Sequence, residues 1–378
     1  MKLCIIQSTL PLYSTSFFNR ICKLYPEVSL VVLTDLKSKD PLNQYQADIC
    51  AFEIKQLDSV SCGGIFIRPG IFRLLNKAKS DVFIFSGSPR EWSQIIAMFW
   101  LRLKGSRVIS WGMFHRIGAP KLFTKIYFRL IGFLSQRCFT YSRTGATNIS
   151  NLGVPKSKIR VIGTAIDEQL PFYESNQLSD GDLQRFKVAN HLEGKKLILQ
   201  VVRLSRSKRP ELLIYALQKM LHERSDIVVA LIGDGEMRQE LEGLCEKLGL
   251  NSNILFLGAI YNEKDLCPWY LSAEVFVMPT FLGLSGHHAM SYGLPVVTDD
   301  SLDHQGSEFE IVSNGLNGLT YREGDVDDLA ATLLRIIGDD ELQKFMSTNA
   351  RKTIEGTHNL NRKTQRFIDE AKALMVRG

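Results

Sequence analysis

The chain has 378 residues, 45% hydrophobic and 23% charged, which suits two globular domains and excludes a disordered chain. Seven scattered cysteines with no C-x-x-C pair point to reduced thiols in a cytosolic setting, and away from a disulfide framework or zinc site. The net charge of +6 hides an asymmetry: residues 1–160 carry 23 basic and 8 acidic residues, a net +15, and the remainder carries 23 and 32, a net −9.

Between Glu91 and Asp167 stand 12 basic residues and no acid. A one-sided field of this kind attracts anions, whether anionic lipid, a phosphorylated acceptor or nucleic acid. The basic residues sit among apolar strands without an RNA-binding motif, which argues against nucleic acid. No uncharged apolar run reaches the ~18 residues of a membrane span.

The first apolar run, up to Gln7, is too short for the core of a signal peptide and reads as a buried strand. Further short β-rich segments follow at residues 30–34, 49–54, 81–85, 107–111, 138–142 and 159–162, with helical patterns such as 16–24 and 91–103 between them. This alternation predicts a parallel sheet wrapped by helices.

The segment Ser110–Arg116 closes one of these strands, and His115 lies just past its end beside Trp111 and Gly112. There it suits a hydrogen bond to a sugar or movement of a proton; the alternative is a structural histidine. Lys121, Lys125 and Arg129 then recur every four residues among aromatic and aliphatic ones. They read as the wet stripe of a core helix or as a helix beside an anionic membrane surface. A polar stretch from Asp167 to about Lys195 reads as a linker with one helix.

The second half repeats the pattern, with predicted strands at 197–202, 227–232, 254–257, 275–279 and 295–298. After the first of these, Arg203 and Lys208 flank a turn that leads to Pro210, a residue suited to a first helical turn. A guanidinium fork and a mobile ammonium can clamp phosphate oxygens; the plain alternative is a solvated basic turn. After the second comes Gly233-Asp234-Gly235, where glycines allow tight backbone geometry and Asp234 could cap a helix.

After the fourth, Gly283-Leu-Ser285-Gly286 feeds a short helix whose free amides make an anion site. His288 lies near the same mouth, and adjacent His287 reads as a surface or packing residue, because neighbours on a helix point to different faces. After the fifth, Gln305, Glu308 and Glu310 follow a glycine turn, and a carboxylate there could accept hydrogen bonds from sugar hydroxyls, Glu308 before Glu310. The D-x-D matches at Asp180–Asp182 and Asp325–Asp327 read as turn and cap chemistry, so no metal site is expected. Amphipathic helices at 325–337 and 341–354 and a last helix near 360–376 complete the chain.

Taken together, Val202-Arg203-Leu with Lys208, Gly233-Asp-Gly235, Leu257-Gly258, Pro279-Thr280, Ala289-Met290 with Gly293-Leu-Pro-Val, and Asn314-Gly315 through Asn317-Gly318 resemble the donor domain of retaining GT-B glycosyltransferases of family 4, the glycosyl transferases group 1 proteins. The shorter loop before His287 and His288, with Gln305 and Glu308, resembles a branch found in bacterial surface-polysaccharide synthesis.

The resemblance implies two Rossmann-like parallel-sheet domains facing across a cleft: an acceptor domain at 1–166, a donor domain at 167–355 and a C-terminal helix at 356–378 packing back toward the first. It implies transfer of a sugar, with retention, from a UDP- or GDP-linked donor to a lipid-linked or polysaccharide acceptor. No metal cofactor would be needed, and the enzyme would be cytoplasmic and peripheral to the inner membrane face. Arg203 and Lys208 would hold the diphosphate and Gly258 would lie near the base. Arg203, Lys208 and His115 would be the catalytic residues; Gly233, Gly235, Gly258, Ser285, Gly286, His288, Gln305, Glu308 and Glu310 would bind the donor.

One departure matters. The family's E-A-M-A-x-G segment opens with a glutamate that has a partner glutamate eight residues before it, and here His288 and Thr280 stand in those places. An idle GT-B subunit and a nucleotide-sugar 2-epimerase are the alternatives.

Overall fold

The structure is a computed structural model that describes residues 1–37, 47–62, 65–115 and 122–376. Arg116 and Lys121, singled out in the sequence, lie outside those residues. The chain divides into two units, Met1–Asp167 with Leu360–Gly378, and Glu168–Asn359.

In the first unit the strands are Lys2–Ile6 (β1), Ser29–Thr34 (β2), Glu53–Gln56 (β3), Val60–Cys62 (β4), Ile65–Ile67 (β5), Val82–Ser86 (β6), Arg107–Gly112 (β7), Arg137–Thr140 (β8) and Ile159–Val161 (β9). The helices are Leu12–Leu24 (α1), Ile71–Ala78 (α2), Ser93–Leu103 (α3), Leu122–Leu134 (α4) and Arg143–Asn151 (α5). Seven strands form one sheet in the order β3-β2-β1-β6-β7-β8-β9, all parallel. Because helices cover both faces, the inner strands are apolar throughout rather than alternating: β1 and β6 bury all but one residue each. The β4–β5 pair is a separate antiparallel hairpin.

Two features differ from the sequence expectation. The predicted strand at 49–54 lies later, at β3, after a 3-10 turn over Ala47–Ile49. The hairpin was not foreseen, because its strands are only three residues long.

The second unit contains Gln169–Gln177 (α6) and Asp180–Ala189 (α7) where one helix in a linker was expected. A capping box starts α7: Ser179 Oγ accepts from the Asp182 N–H while the Asp182 carboxylate accepts from the Ser179 N–H. This gives the first D-x-D match a helix-starting role.

Then come Lys196–Val201 (β10), Glu211–Met220 (α8), Ile227–Ile232 (β11), Arg238–Leu248 (α9), Ile254–Gly258 (β12), Glu263–Ser272 (α10), Ala273–Met278 (β13), Leu284–Ser291 (α11), Val296–Asp299 (β14), Gly318–Tyr321 (β15), Val326–Ile337 (α12) and Asp340–Gly356 (α13). Asp325 caps α12 by accepting from the Asp328 N–H at 3.0 Å, which explains the second D-x-D match.

The sheet order is β12-β11-β10-β13-β14-β15, again all parallel. One face packs α8, α9 and α12, the other α10 and α11. Each fully buried Leu, Ile or Val in these layers contributes about 1.5–3 kcal/mol.

The last helix, Leu360–Val376 (α14), belongs to the first unit. It buries Leu360, Phe367, Ile368 and Ala371, a spacing that keeps one helical face inward. The Phe367 ring meets Phe17, Trp111 and Phe139 with centroids 5.0–5.2 Å apart.

Candidate donor site

In the second sheet the chain runs outward from β10 through β11 to β12, then returns to the other side of β10 at β13. The turns after β10 and β13 therefore flank the topological switch point, where an open α/β sheet opens a crevice at its carboxyl edge. Those two turns and α11 carry Arg203, Lys208, Ser285, Gly286 and His288 of the residues expected to bind a donor.

After β10 a 3-10 turn, Arg206–Lys208, precedes α8, and Pro210 is the N-cap residue. The Lys208 ammonium does not point into solvent. Its Nζ donates to the Phe281 carbonyl at 2.5 Å and lies 3.9 Å from the centre of the Phe281 ring. It is also 3.7 Å from where a side chain on Gly283 would begin. Lys208 is thus held against the start of α11. Burial pushes its pKa down to about 8, opposed by the nearby Glu308 carboxylate. Arg203, by contrast, is exposed.

The α11 helix starts at Gly283 with no side-chain cap, leaving the Leu284 and Ser285 amides to an incoming anion. The Gly286 N–H, expected to serve there, instead donates to the Gly283 carbonyl at 3.0 Å; the available donors lie one and two residues earlier.

Glu308 sits on the same wall. A Cβ on Gly306 would stand 2.8 Å from its Oε2 and 3.1 Å from the Phe281 ring. Glu310 lies in the same 3-10 turn, Ser307–Ile311, and is half-buried.

Gln305 has a different place from the one expected. It is buried, its Oε1 accepts from the Leu282 N–H at 2.8 Å, and its Nε2 donates to Thr298 Oγ1 at 2.8 Å and Asp299 Oδ1 at 2.9 Å. It braces the 281–283 turn from beneath. Gln305→Ala strands the buried Leu282 amide, so a loss of about 1–3 kcal/mol is expected, read as a lower urea midpoint; an unchanged midpoint would show that the turn is held by other means.

His288 is likewise committed inside the unit. Its Nε2–H donates to Glu263 Oε1 at 2.6 Å, and Nδ1 lies 3.3 Å from the Tyr270 hydroxyl. The Tyr292 hydroxyl donates to the same Glu263 oxygen at 2.5 Å, and the Tyr270 and Tyr292 rings stack at 4.8 Å. Burial pushes the Glu263 carboxyl up, and the His288 and Tyr292 contacts outweigh it and hold it below the ordinary value. Both nitrogens of His288 face partners on α10, which spends the ring's hydrogen-bonding capacity there. His287 is buried as a packing residue.

The glycines work through the backbone. A Cβ on Gly233 would lie 1.8 Å from the Val202 carbonyl oxygen, and one on Gly235 2.3 Å from that of Leu204. Leu204 N–H donates to the Asp234 carbonyl at 3.0 Å and Gly233 N–H to the Gly258 carbonyl at 2.7 Å. The turns after β10, β11 and β12 are thereby tied together, carrying Arg203 with them. Asp234 does not cap α9; its carboxylate accepts from the Gly235 N–H at 2.7 Å, and Met237 is the N-cap residue.

His115 lies in the first unit. It lines a cavity of about 590 Å³ at the carboxyl ends of β6, β7 and β8, with Ser86, Arg90, Trp111 and Tyr141. The Asn148 side-chain amide lies 3.0 Å from its Nδ1 and, donating there, leaves Nε2 to carry the proton.

Sequence reasoning missed Phe281 and Glu263. Phe281 stood inside a recognised segment but had no polar side chain to draw attention. Glu263 reads as an ordinary first-turn acid after the Asn262 cap. Among the described residues there is no group of three or more His, Cys, Asp or Glu that could hold a metal ion, and no helix is long and apolar enough to cross a membrane.

Residues 183–353 match the family described as Glycosyl transferases group 1. An uncharacterized glycosyltransferase of Methanocaldococcus jannaschii is 31% identical over 209 residues, 54% of this chain and 51% of that protein. The GalNAc-alpha-(1->4)-GalNAc-alpha-(1->3)-diNAcBac-PP-undecaprenol alpha-1,4-N-acetyl-D-galactosaminyltransferase of Campylobacter jejuni is 29% identical over 172 residues, 42% of this chain and 44% of that protein. The chain thus spans about half the length of these curated relatives.

The solved structure of the Anabaena protein HepE in complex with UDP is similar with a TM-score of 0.78 at 18% identity, covering 98% of this chain and 99% of that one. That likeness shows the fold. The chain therefore has the GT-B fold class, two parallel-sheet α/β units, and carries over residues 183–353 a domain of the glycosyl transferases group 1 family.

Proposed function

We propose that the protein transfers a sugar from a nucleoside-diphosphate donor to a hydroxyl of a lipid-linked or polysaccharide acceptor, with retention at the anomeric carbon. The observation that carries this reading is the half-buried Lys208 ammonium, lodged beside an uncapped helix start at the switch point of the second sheet. A nucleoside-diphosphate sugar places its pyrophosphate in such a crevice, and the group that leaves is the diphosphate itself. As the bond from the anomeric carbon to the diphosphate oxygen breaks, negative charge grows on that oxygen. Lys208, Arg203 and the Leu284 and Ser285 amides meet it with fixed positive charge, and no metal cofactor is assigned.

The acceptor oxygen bonds to the anomeric carbon on the face the diphosphate leaves, and the departing diphosphate oxygen takes the acceptor's proton. In the first unit, the cavity with His115 is assigned to the acceptor. The name of the Campylobacter relative, with its PP-undecaprenol acceptor, supports a lipid-diphosphate carrier, as does the basic first half. Such a carrier places the enzyme at the inner face of the membrane.

The pH dependence of nucleotide binding tests the role of Lys208. With a pKa near 8 in the free protein, the ammonium is charged at pH 7 and mostly neutral at pH 9. A bound diphosphate favours the charged form, so binding above pH 8 requires proton uptake. Calorimetry with UDP or GDP should show affinity falling by roughly fivefold to tenfold from pH 7 to pH 9. In Lys208→Arg, whose charge does not titrate in this range, the dependence should vanish. A flat profile in the parent protein would remove Lys208 from the site.

A second reading, a subunit that binds donor without turning it over, is favoured by the engagement of His288 with α10 where the family places a glutamate. Transfer by the purified chain alone decides against it.

A further inference from the structure

Helices α3 and α4 pack side by side on the first sheet. They bury Ala97, Met98 and Leu101 on one and Tyr127, Phe128 and Ile131 on the other. Their outer faces are apolar as well. On α3, Ile96, Phe99 and Leu103 recur at intervals of three and four; on α4, Leu122, Ile126, Leu130 and Phe133 do the same. These are not edges of the core: Phe99 is 54% exposed, Leu122 71%, Phe123 73% and Phe133 68%.

The two rows join across an apolar depression of about 360 Å³ lined by Ile95, Ile96, Phe99, Leu130, Phe133 and Leu134. A contiguous apolar patch of this kind on a water-exposed surface marks a place where something binds.

The surrounding charge says what. Lys125 and Arg129 are exposed on α4, about a quarter turn from its apolar row. Arg102 and Lys104 close the end of α3, Lys104 lying 3.8 Å from the Trp100 ring centre. Lys158 reaches in from the sequence before β9, with Nζ 3.1 Å from the Phe133 carbonyl. No acidic residue occurs anywhere between 91 and 167 to neutralise them. An apolar face rimmed by cations alone is complementary to one surface above others, a bilayer that presents acyl chains beneath anionic headgroups.

We propose that the α3–α4 face docks the protein on an anionic lipid bilayer: Phe99, Phe123 and Phe133 enter the interfacial layer while Lys125, Arg129 and their neighbours bind headgroup phosphates. The surface deepens the reading of a lipid-linked acceptor, resting on that reading for its purpose but not for its test.

Co-sedimentation of the full chain with vesicles of phosphatidylcholine, alone or mixed with phosphatidylglycerol, tests it. The protein should pellet with the mixed vesicles and only weakly with the neutral ones, and added salt should release it. Phe99→Asp with Phe133→Asp should lower partitioning by roughly tenfold or more at an unchanged melting temperature, since both side chains are largely in water. Lys125→Ala with Arg129→Ala should weaken only the anionic, salt-sensitive part.

Absence of binding to the mixed vesicles would overturn the proposal, as would equal binding by the Phe99/Phe133 variant. So would a solution dimer that the same variant dissociates, because a second copy would then cover the face. Calorimetry with UDP or GDP on the same preparations keeps the questions apart. Nucleotide binding without vesicle binding removes the docking surface alone; vesicle binding without nucleotide binding removes the transferase reading alone.

Discussion

The Lys208→Ala variant is expected to lose two to three orders of magnitude in kcat/KM for glycosyl transfer while keeping its fold. The size follows from what a preorganised donor does when aimed at developing charge: removing one such group costs roughly 10²–10³-fold. Lys208 is preorganised in that sense. Its ammonium is already partly desolvated, anchored on the Phe281 carbonyl and ring, and next to the start of α11. Little reorganisation is left for the moment of reaction.

Stability should change by less than about 1 kcal/mol, because taking the ammonium out of water is itself costly and offsets the lost contacts. The kinetic pattern matters as much as the size. If the ammonium answers charge that grows on the leaving diphosphate, kcat falls more than KM rises. A rise confined to KM would make Lys208 a donor-binding residue only, and undiminished turnover would end the clamp altogether. Arg203→Ala should cost less, since its guanidinium is exposed and has to be ordered by the donor.

How far the sequence could be read depended on how locally each feature is encoded. The β11 strand is predicted at its observed bounds, Ile227–Ile232, because all six residues are apolar and all six are buried, between β12 and β10 in a parallel sheet. Edge strands give a weaker signal. The β3 strand, Glu-Ile-Lys-Gln, is half exposed and has one neighbour, so the more apolar residues before it attracted the prediction. The β15 strand, at an edge of the second sheet, is largely buried and gives little signal for another reason: it is four residues long and begins with glycine.

The site divides in the same way. Lys208 and the α11 start are each visible in a few consecutive residues. Their meeting is not: the Phe281 carbonyl that holds Lys208 is 73 residues away, brought near because β13 lies beside β10. Glu263 and His288 are 25 residues apart, and no periodicity links an acid at the start of α10 to a histidine within α11. Gln305 shows the converse error. A polar residue after a strand and beside a glycine looks like a ligand contact, yet here it satisfies the backbone amide of a turn that does face the crevice.

The second large effect is expected at Gly233, and it is one of structure first and binding second. Gly233 has φ +142°, a conformation that side-chain-bearing residues rarely adopt, and its missing Cβ would sit 1.8 Å from the Val202 oxygen and 2.8 Å from the Val202 carbonyl carbon. Both obstructing atoms are backbone. They cannot swing away, because Val202 N–H donates to the Ile232 carbonyl at 2.9 Å and Gly233 N–H to the Gly258 carbonyl at 2.7 Å. Relief of the clash must therefore break pairing at the carboxyl ends of β10, β11 and β12 together.

Gly233→Ala should cost about 3–5 kcal/mol, lowering the melting temperature by roughly 6–20 °C for a unit of this size. Gly249→Ala is the control. Gly249 also has positive φ, +69°, but no atom lies within 4 Å of its Cβ position, so only the left-handed backbone is penalised, about 1–2 kcal/mol. Equal losses in the two variants would mean that the close approach of the turns contributes nothing. If the losses differ as expected, the Gly233 variant should also bind UDP or GDP more weakly at temperatures where it remains folded, because the turn that carries Arg203 hangs from the same hydrogen bonds; Gly249→Ala, at the far end of α9, should leave that affinity untouched.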